Sequence, residues 1–123
     1  HDRVQKFTSN GVFITKWSGS GDQFFSHTDA VDVDSSGNVY VVDDGGARVE
    51  VFTGTGEFVV KWGGTGTGDG EFLYPSGIVV DGAGNIFVSD REMARIQKFA
   101  FAPVSVNSVD WTKVKTLYRD ATR

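Results

Sequence analysis

The side chains best suited to chemistry fall in one stretch: His27, Asp29 and Asp32, followed by the adjacent pair Asp43-Asp44. Neighbouring carboxylates can exchange protons as acid and base, and an imidazole beside them can join them around a divalent metal. A single useful histidine does not by itself make a metal centre, so His27, Asp29 and Asp32 enter only as metal candidates. The competing reading is a set of solvated turns with an arginine partner. In the same stretch, Asp32-Val33-Asp34-Ser35-Ser36-Gly37-Asn38 resembles the opening of a calcium loop. The residue at the loop's closing position is Asp43, where such a loop needs a bidentate glutamate. No cofactor is therefore expected, with calcium or another divalent metal as the alternative. Gly63-Gly64-Thr65-Gly66-Thr67-Gly68-Asp69-Gly70 invites a phosphate-loop reading, yet it lacks the Gly-Lys-Ser/Thr ending and no helical pattern follows it. It reads as a crossover loop.

Composition narrows the classes further. The chain has no cysteine, which removes disulfides, thiolate nucleophiles and cysteine-based zinc sites together. Its formal net charge of -4 divides into +2 after Pro103 and -6 before it. An acidic body without a basic stripe lacks the footprint that a phosphate backbone requires, so no nucleic-acid partner is expected. No apolar run approaches the roughly 20 residues of a membrane span. The opening His1-Asp2-Arg3 resembles neither an initiator methionine nor a signal peptide, so the N-terminus reads as cut. Sixteen glycines against two prolines, with many valines, phenylalanines and threonines, describe short strands joined by tight turns.

The elements that must position these side chains come from a repeat. Arg3-Val4-Gln5-Lys6-Phe7, Arg48-Val49-Glu50-Val51-Phe52 and Arg95-Ile96-Gln97-Lys98-Phe99 are three copies of one segment. The first two stand 45 residues apart, as do Gly11 to Trp17 and Gly56 to Trp62. The next match, at an offset of 47, carries Phe25 to Phe52 onto Phe72 to Phe99. It pairs Asp34 with Asp81, Gly37-Asn38 with Gly84-Asn85 and Asp43 with Asp90. The two extra residues lie in the Gly-rich link after Trp62, as an insertion in a surface loop should. Within a unit, four apolar runs of strand length alternate with turns rich in Gly, Asn and Asp. Strands are expected near 3–7, 12–17, 30–34, 38–43, 47–53, 57–62, 77–81, 85–90 and 94–101. A recurring four-stranded unit of this period is a propeller blade, and the fold class is all-β.

The order GDGEFLYPSGIVVDGAGNIFVSD, then ARIQKF, resembles the NHL repeat, with a nearly ideal copy in Gly66 to Phe99 and a looser one in Gly19 to Phe52. The looser copy departs at Thr28, Ala30 and Asp32, where the other has Pro75, Gly77 and Val79. The resemblance implies an incomplete β-propeller over residues 1–102, about two and a half four-stranded antiparallel blades, and a non-repeat tail over 103–123. Trp111, Val114, Leu117 and Tyr118 share one face of a helix expected over 110–121, against a competing strand near Ser105 to Val109.

Residues that return in every blade read as structure. Arg3, Arg48 and Arg95 are expected to brace the strand-ending Asp43 and Asp90, while Trp17 and Trp62 pack between blades. An open fan of blades leaves apolar faces and strand edges uncovered. Three readings cover them: further blades of a longer chain, copies of the chain in a homo-oligomeric ring, or another protein. The function expected is a noncatalytic interaction or scaffold module that binds protein or carbohydrate through its loops. The alternative is a fragment of a metal-dependent propeller lyase or hydrolase, as the resemblance allows. The lysine-poor repeat is similar to secreted NHL proteins, which points to an extracellular location and leaves the cytoplasm open.

Overall fold

The computed structural model describes residues 2–19, 24–100 and the pair 119–120. In chain order the strands are β1 (Val4–Phe7), β2 (Phe13–Trp17), β3 (Thr28–Val33), β4 (Val39–Asp43), β5 (Arg48–Phe52) and β6 (Phe58–Gly63). They continue with β7 (Pro75–Val80), β8 (Asn85–Asp90), β9 (Arg95–Ala100) and β10 (Arg119–Asp120). Hydrogen bonding groups them into the hairpin β1-β2 and the four-stranded sheets β3-β4-β5-β6 and β7-β8-β9-β10. Every pairing between these strands is antiparallel. The nine strands expected from the repeat are present, their ends moved by no more than two residues. The architecture is all-β, an incomplete β-propeller.

The helix expected over 110–121 is corrected at Arg119 and Asp120, which pair instead with Lys98 and Gln97 of β9. A blade that ends at β9 would leave a row of unpaired backbone N–H and C=O groups, and a strand laid along that edge satisfies them. The rest of the expected helix, and the competing strand near 105–109, lie outside the described residues.

One turn chemistry closes four hairpins. Asp34 N–H donates to Asn38 O at 3.0 Å and Gly37 N–H returns to Asp34 O at 3.0 Å. The same two bonds recur between Asp81, Gly84 and Asn85, between Thr53, Gly56 and Glu57, and between Thr8, Gly11 and Val12. The glycine of each turn sits at positive φ, between 84° and 92°, where a Cβ is disfavoured. At Gly56 there is a second reason: a Cβ would come within 2.8 Å of the Trp17 ring.

The blades face one another through apolar side chains. Tyr40, Val42, Val49, Val51, Val60 and Trp62 of the second blade form one core with Phe72, Ile78, Ile86, Val88 and Phe99 of the third. A smaller core joins Phe25, Val39, Val41 and Phe52 to Val4 and Trp17 of the hairpin. The recurring tryptophans lie at these two seams: Trp17 against Phe52 with ring centroids 5.6 Å apart, Trp62 against Phe99 at 5.3 Å. Because β4 has a blade on both sides, all five of its residues are buried. β3 and β4 pack on β7, so the first strands converge and the later ones fan outward. At the far ends of the two first strands, Val80 N–H donates to Asp32 Oδ2 at 2.7 Å. Val31 and Val33 on the outer side of the second blade are exposed, as are Val79 and Ile96 in the third.

Two outcomes test this packing. Removing a buried aromatic costs about 3–5 kcal/mol, so Trp62→Ala should lower the unfolding free energy of the full-length protein by that amount in a denaturant titration. The Asp34 turn should also carry an acid-sensitive component. Burial alone raises the Asp34 carboxyl, but hydrogen bonds from the Asn38 backbone and side chain, the Tyr40 hydroxyl and Ser36 N–H outweigh it and hold the group below 3.8. A depressed folded value contributes stability above 3.8 that is lost as the pH falls through it. The stability difference between wild type and Asp34→Ala should be fully present at neutral pH and shrink in acid.

Candidate functional site

The start of each first strand is pinned by a carboxylate from the end of the second. Asp43 takes N–H bonds from Ser26 at 3.0 and 3.1 Å and from His27 at 2.8 Å. Asp90 does the same for Leu73 at 2.8 Å and Tyr74 at 3.0 Å. The strand-ending backbone closes the frame: Asp44 N–H donates to His27 O and Arg91 N–H to Tyr74 O, each at 2.9 Å. Ala47 and Ala94, just before the recurring arginines, take matching left-handed conformations at φ 50° and 51°. Two blades thus share one backbone frame and display different side chains on it. His27 and Asp44 occupy the places that Tyr74 and Arg91 hold one blade later.

In the second blade, His27 Nδ1 lies 2.8 Å from Asp44 Oδ1 and 3.8 Å from Asp29 Oδ1. The imidazole is exposed, whereas the Asp44 side chain is 9% exposed. The hydrogen bond to Asp44 and the charges of Asp44, Asp29 and Asp2 raise the His27 pKa above 6.5 against a small desolvation. A hydrogen bond to the Asp44 carboxylate, with burial and its charge, raises the Asp29 carboxyl, while His27 and Arg91 oppose the rise. Asp29 therefore holds its proton more readily than an ordinary aspartate. In the third blade the Arg91 guanidinium stacks 4.2 Å from the Tyr74 ring centroid. Since β3 packs on β7 and the two strands are tied at their far ends, the two displayed pairs stand at the same end of adjacent blades.

Of the metal candidates, the structure brings His27 and Asp29 together and sets Asp32 apart. Asp32 accepts from Val33 N–H at 2.8 Å as well as from Val80 N–H. One oxygen is held within its own strand and the other ties the seam between blades. The third member of the cluster is Asp44, which the sequence offered only as the neighbour of Asp43. Its signal was the β4-β5 turn, which must end beside the start of β3 once Thr28 pairs with Asp43.

The bracing arginines differ from one another. Arg48 donates to Asp43 Oδ2 at 2.8 Å and to Glu50 Oε2 at 2.9 Å, with both carboxylates buried. Arg95 does not reach Asp90: it donates to Gly68 O at 3.0 Å and Glu71 O at 3.1 Å. The reason lies two residues on, where Gln97 stands in the place of Glu50 and offers no second charge to orient the fork. Arg3 lies within 3.3 Å of the Gln5 amide. In the Gly-rich crossover, N–H groups point to the protein itself: Gly64 to Ala47 O, Gly66 to Phe72 O, Gly68 to Glu71 Oε1 and Gly70 to Gln97 Oε1. These four donors are committed to holding the loop.

Beside the His27 patch a cavity of about 230 Å³ opens between β1 and β3, with Arg3 and Gln5 on one wall and Asp29 and Val31 on the other. Meandering four-stranded sheets that converge on their first strands, with display loops at one end of those strands, define the β-propeller class. The chain belongs to the 6-bladed beta-propeller family whose profile matches residues 24–120. No curated protein matches the chain closely enough to count as a relative.

The Asp43 pin is testable. Breaking a buried ion pair from one side costs about 3–5 kcal/mol, and Asp43→Ala also leaves the Ser26 and His27 amides without their acceptor. Its unfolding free energy should drop by that much. Asp90→Ala, which strands no arginine, should lose less in the same denaturant titration.

Proposed function

We propose that the chain is part of an NHL-type propeller that works as a noncatalytic binding module, taking a protein or carbohydrate ligand on the face that carries His27, Asp29, Asp44, Tyr74 and Arg91. The observation that carries this reading is the shared frame: two blades hold the same backbone bonds and exchange an acidic imidazole pair for a cationic aromatic one. Side chains free to vary on a fixed scaffold are where a propeller places its recognition. Tyr74 with Arg91 offers a flat apolar surface edged by donors, suited to a sugar ring or a peptide side chain. The exposed valines at both open sides of the array support further blades as its first neighbours, in keeping with the six blades of the family.

Glycan and peptide arrays probed with the full-length protein test the reading. A ligand bound by wild type should lose tenfold or more in affinity with Tyr74→Ala and Arg91→Ala, while circular dichroism and melting temperature stay in place. Retained binding in both variants, or turnover of the bound compound, would overturn it.

A further inference from the structure

The His27 cluster holds one atom that the protein leaves unanswered. Asp44 Oδ2 is buried and has no hydrogen-bond partner among the described residues, in a side chain that is 9% exposed. Its other oxygen meets His27 Nδ1 at 2.8 Å, and the ligand atoms of His27, Asp29 and Asp44 all lie within 4.8 Å of one another. A buried carboxylate oxygen that accepts from no donor is costly unless a positive centre answers it.

The cluster is not needed to build the turn it sits on. In the third blade the same frame stands with Tyr74, Ser76 and Arg91 in the three corresponding places. There the position of Asp44 carries a cation instead of an acid. Geometry in the second blade is preset: His27 is held at both backbone ends, by Asp43 through its N–H and by Asp44 N–H through its carbonyl. The imidazole faces solvent, which leaves room for further ligands on the open side.

We propose that His27 Nδ1, Asp29 and Asp44 form an open three-ligand site for a divalent transition metal at the loop face of the second blade. The donor set decides the class of ion. One imidazole nitrogen with two carboxylate oxygens suits zinc and its first-row neighbours, whereas calcium and magnesium prefer oxygen throughout. Ligands about 2.0–2.1 Å from a tetrahedral zinc stand roughly 3.3–3.5 Å apart. The 2.8 and 3.8 Å separations here bracket that spacing. Binding requires Nδ1 to give up its proton and the imidazole to shift by a fraction of an ångström, and it turns the buried Asp44 pair from a liability into a bridge. The site goes beyond the ligand-binding reading and does not depend on it.

Zinc chloride titrated calorimetrically into the metal-stripped full-length protein tests the site, with cobalt absorption as a second readout. One equivalent should bind in wild type, and His27→Ala and Asp44→Asn should each weaken that equivalent tenfold or more. Asp32→Asn, outside the cluster, should leave it unchanged. Each variant is checked by circular dichroism, and the cobalt bands of a tetrahedral or five-coordinate site should vanish with His27→Ala. Binding that survives His27→Ala, no binding in wild type, or a calcium preference indifferent to His27 would overturn the proposal.

Discussion

A buried carboxylate at the end of the second strand organises each complete blade. Asp43 and Asp90 take two N–H groups from the segment that enters the blade, which gives these part-buried donors their acceptor. The bond fixes where the first strand begins and therefore where the turn opposite it is displayed. It also sets the first strand's register against the second, on which the apolar seam depends, because a slip of one residue would exchange the two faces of a strand. In the second blade Arg48 completes the arrangement by bridging Asp43 and Glu50. The third blade reaches the same backbone with Arg95 and Gln97 both bonded to the crossover.

The repeat made most of the architecture legible. Four D/T-x-x-G turns of one geometry announce four hairpins, and the arginine segments mark the third strand of each blade. The tryptophans could be placed at the seams because residues that return once per blade belong to what every blade needs. The partner of Arg95 was harder to read: matching positions hid the change from Glu50 to Gln97, and a fork that has lost one anchor turns to carbonyls. At 119–120 helical spacing of apolar residues competed with the demand of an open strand edge, and the edge prevailed.

The candidate site was legible in part. His27 and Asp29 stand close in the sequence, so their proximity needed only a loop followed by a strand. Asp44 joins them through a strand pairing that brings residues seventeen positions apart together, a contact that composition alone does not reveal. Asp32 was a reasonable third ligand by spacing, since it lies on β3 three residues after Asp29. Alternation places the two on opposite faces of that strand, one toward the hairpin and the other toward the third blade. Correspondence between blades identifies the scaffold: bonds present twice build the blade, as the frames around Asp43 and Asp90 do.

The link from Asp32 to Val80 ties the two first strands at the end remote from the displayed side chains. A strand of six residues spans about 20 Å, so any small rocking of one blade on the other would swing about this tie and be magnified at the opposite rim. The spacing between the entry ends of the two strands, where His27 and Tyr74 stand, would respond most to such a motion. A guest wedged there would act on the lever's long arm and transmit its size to the angle between the two sheets.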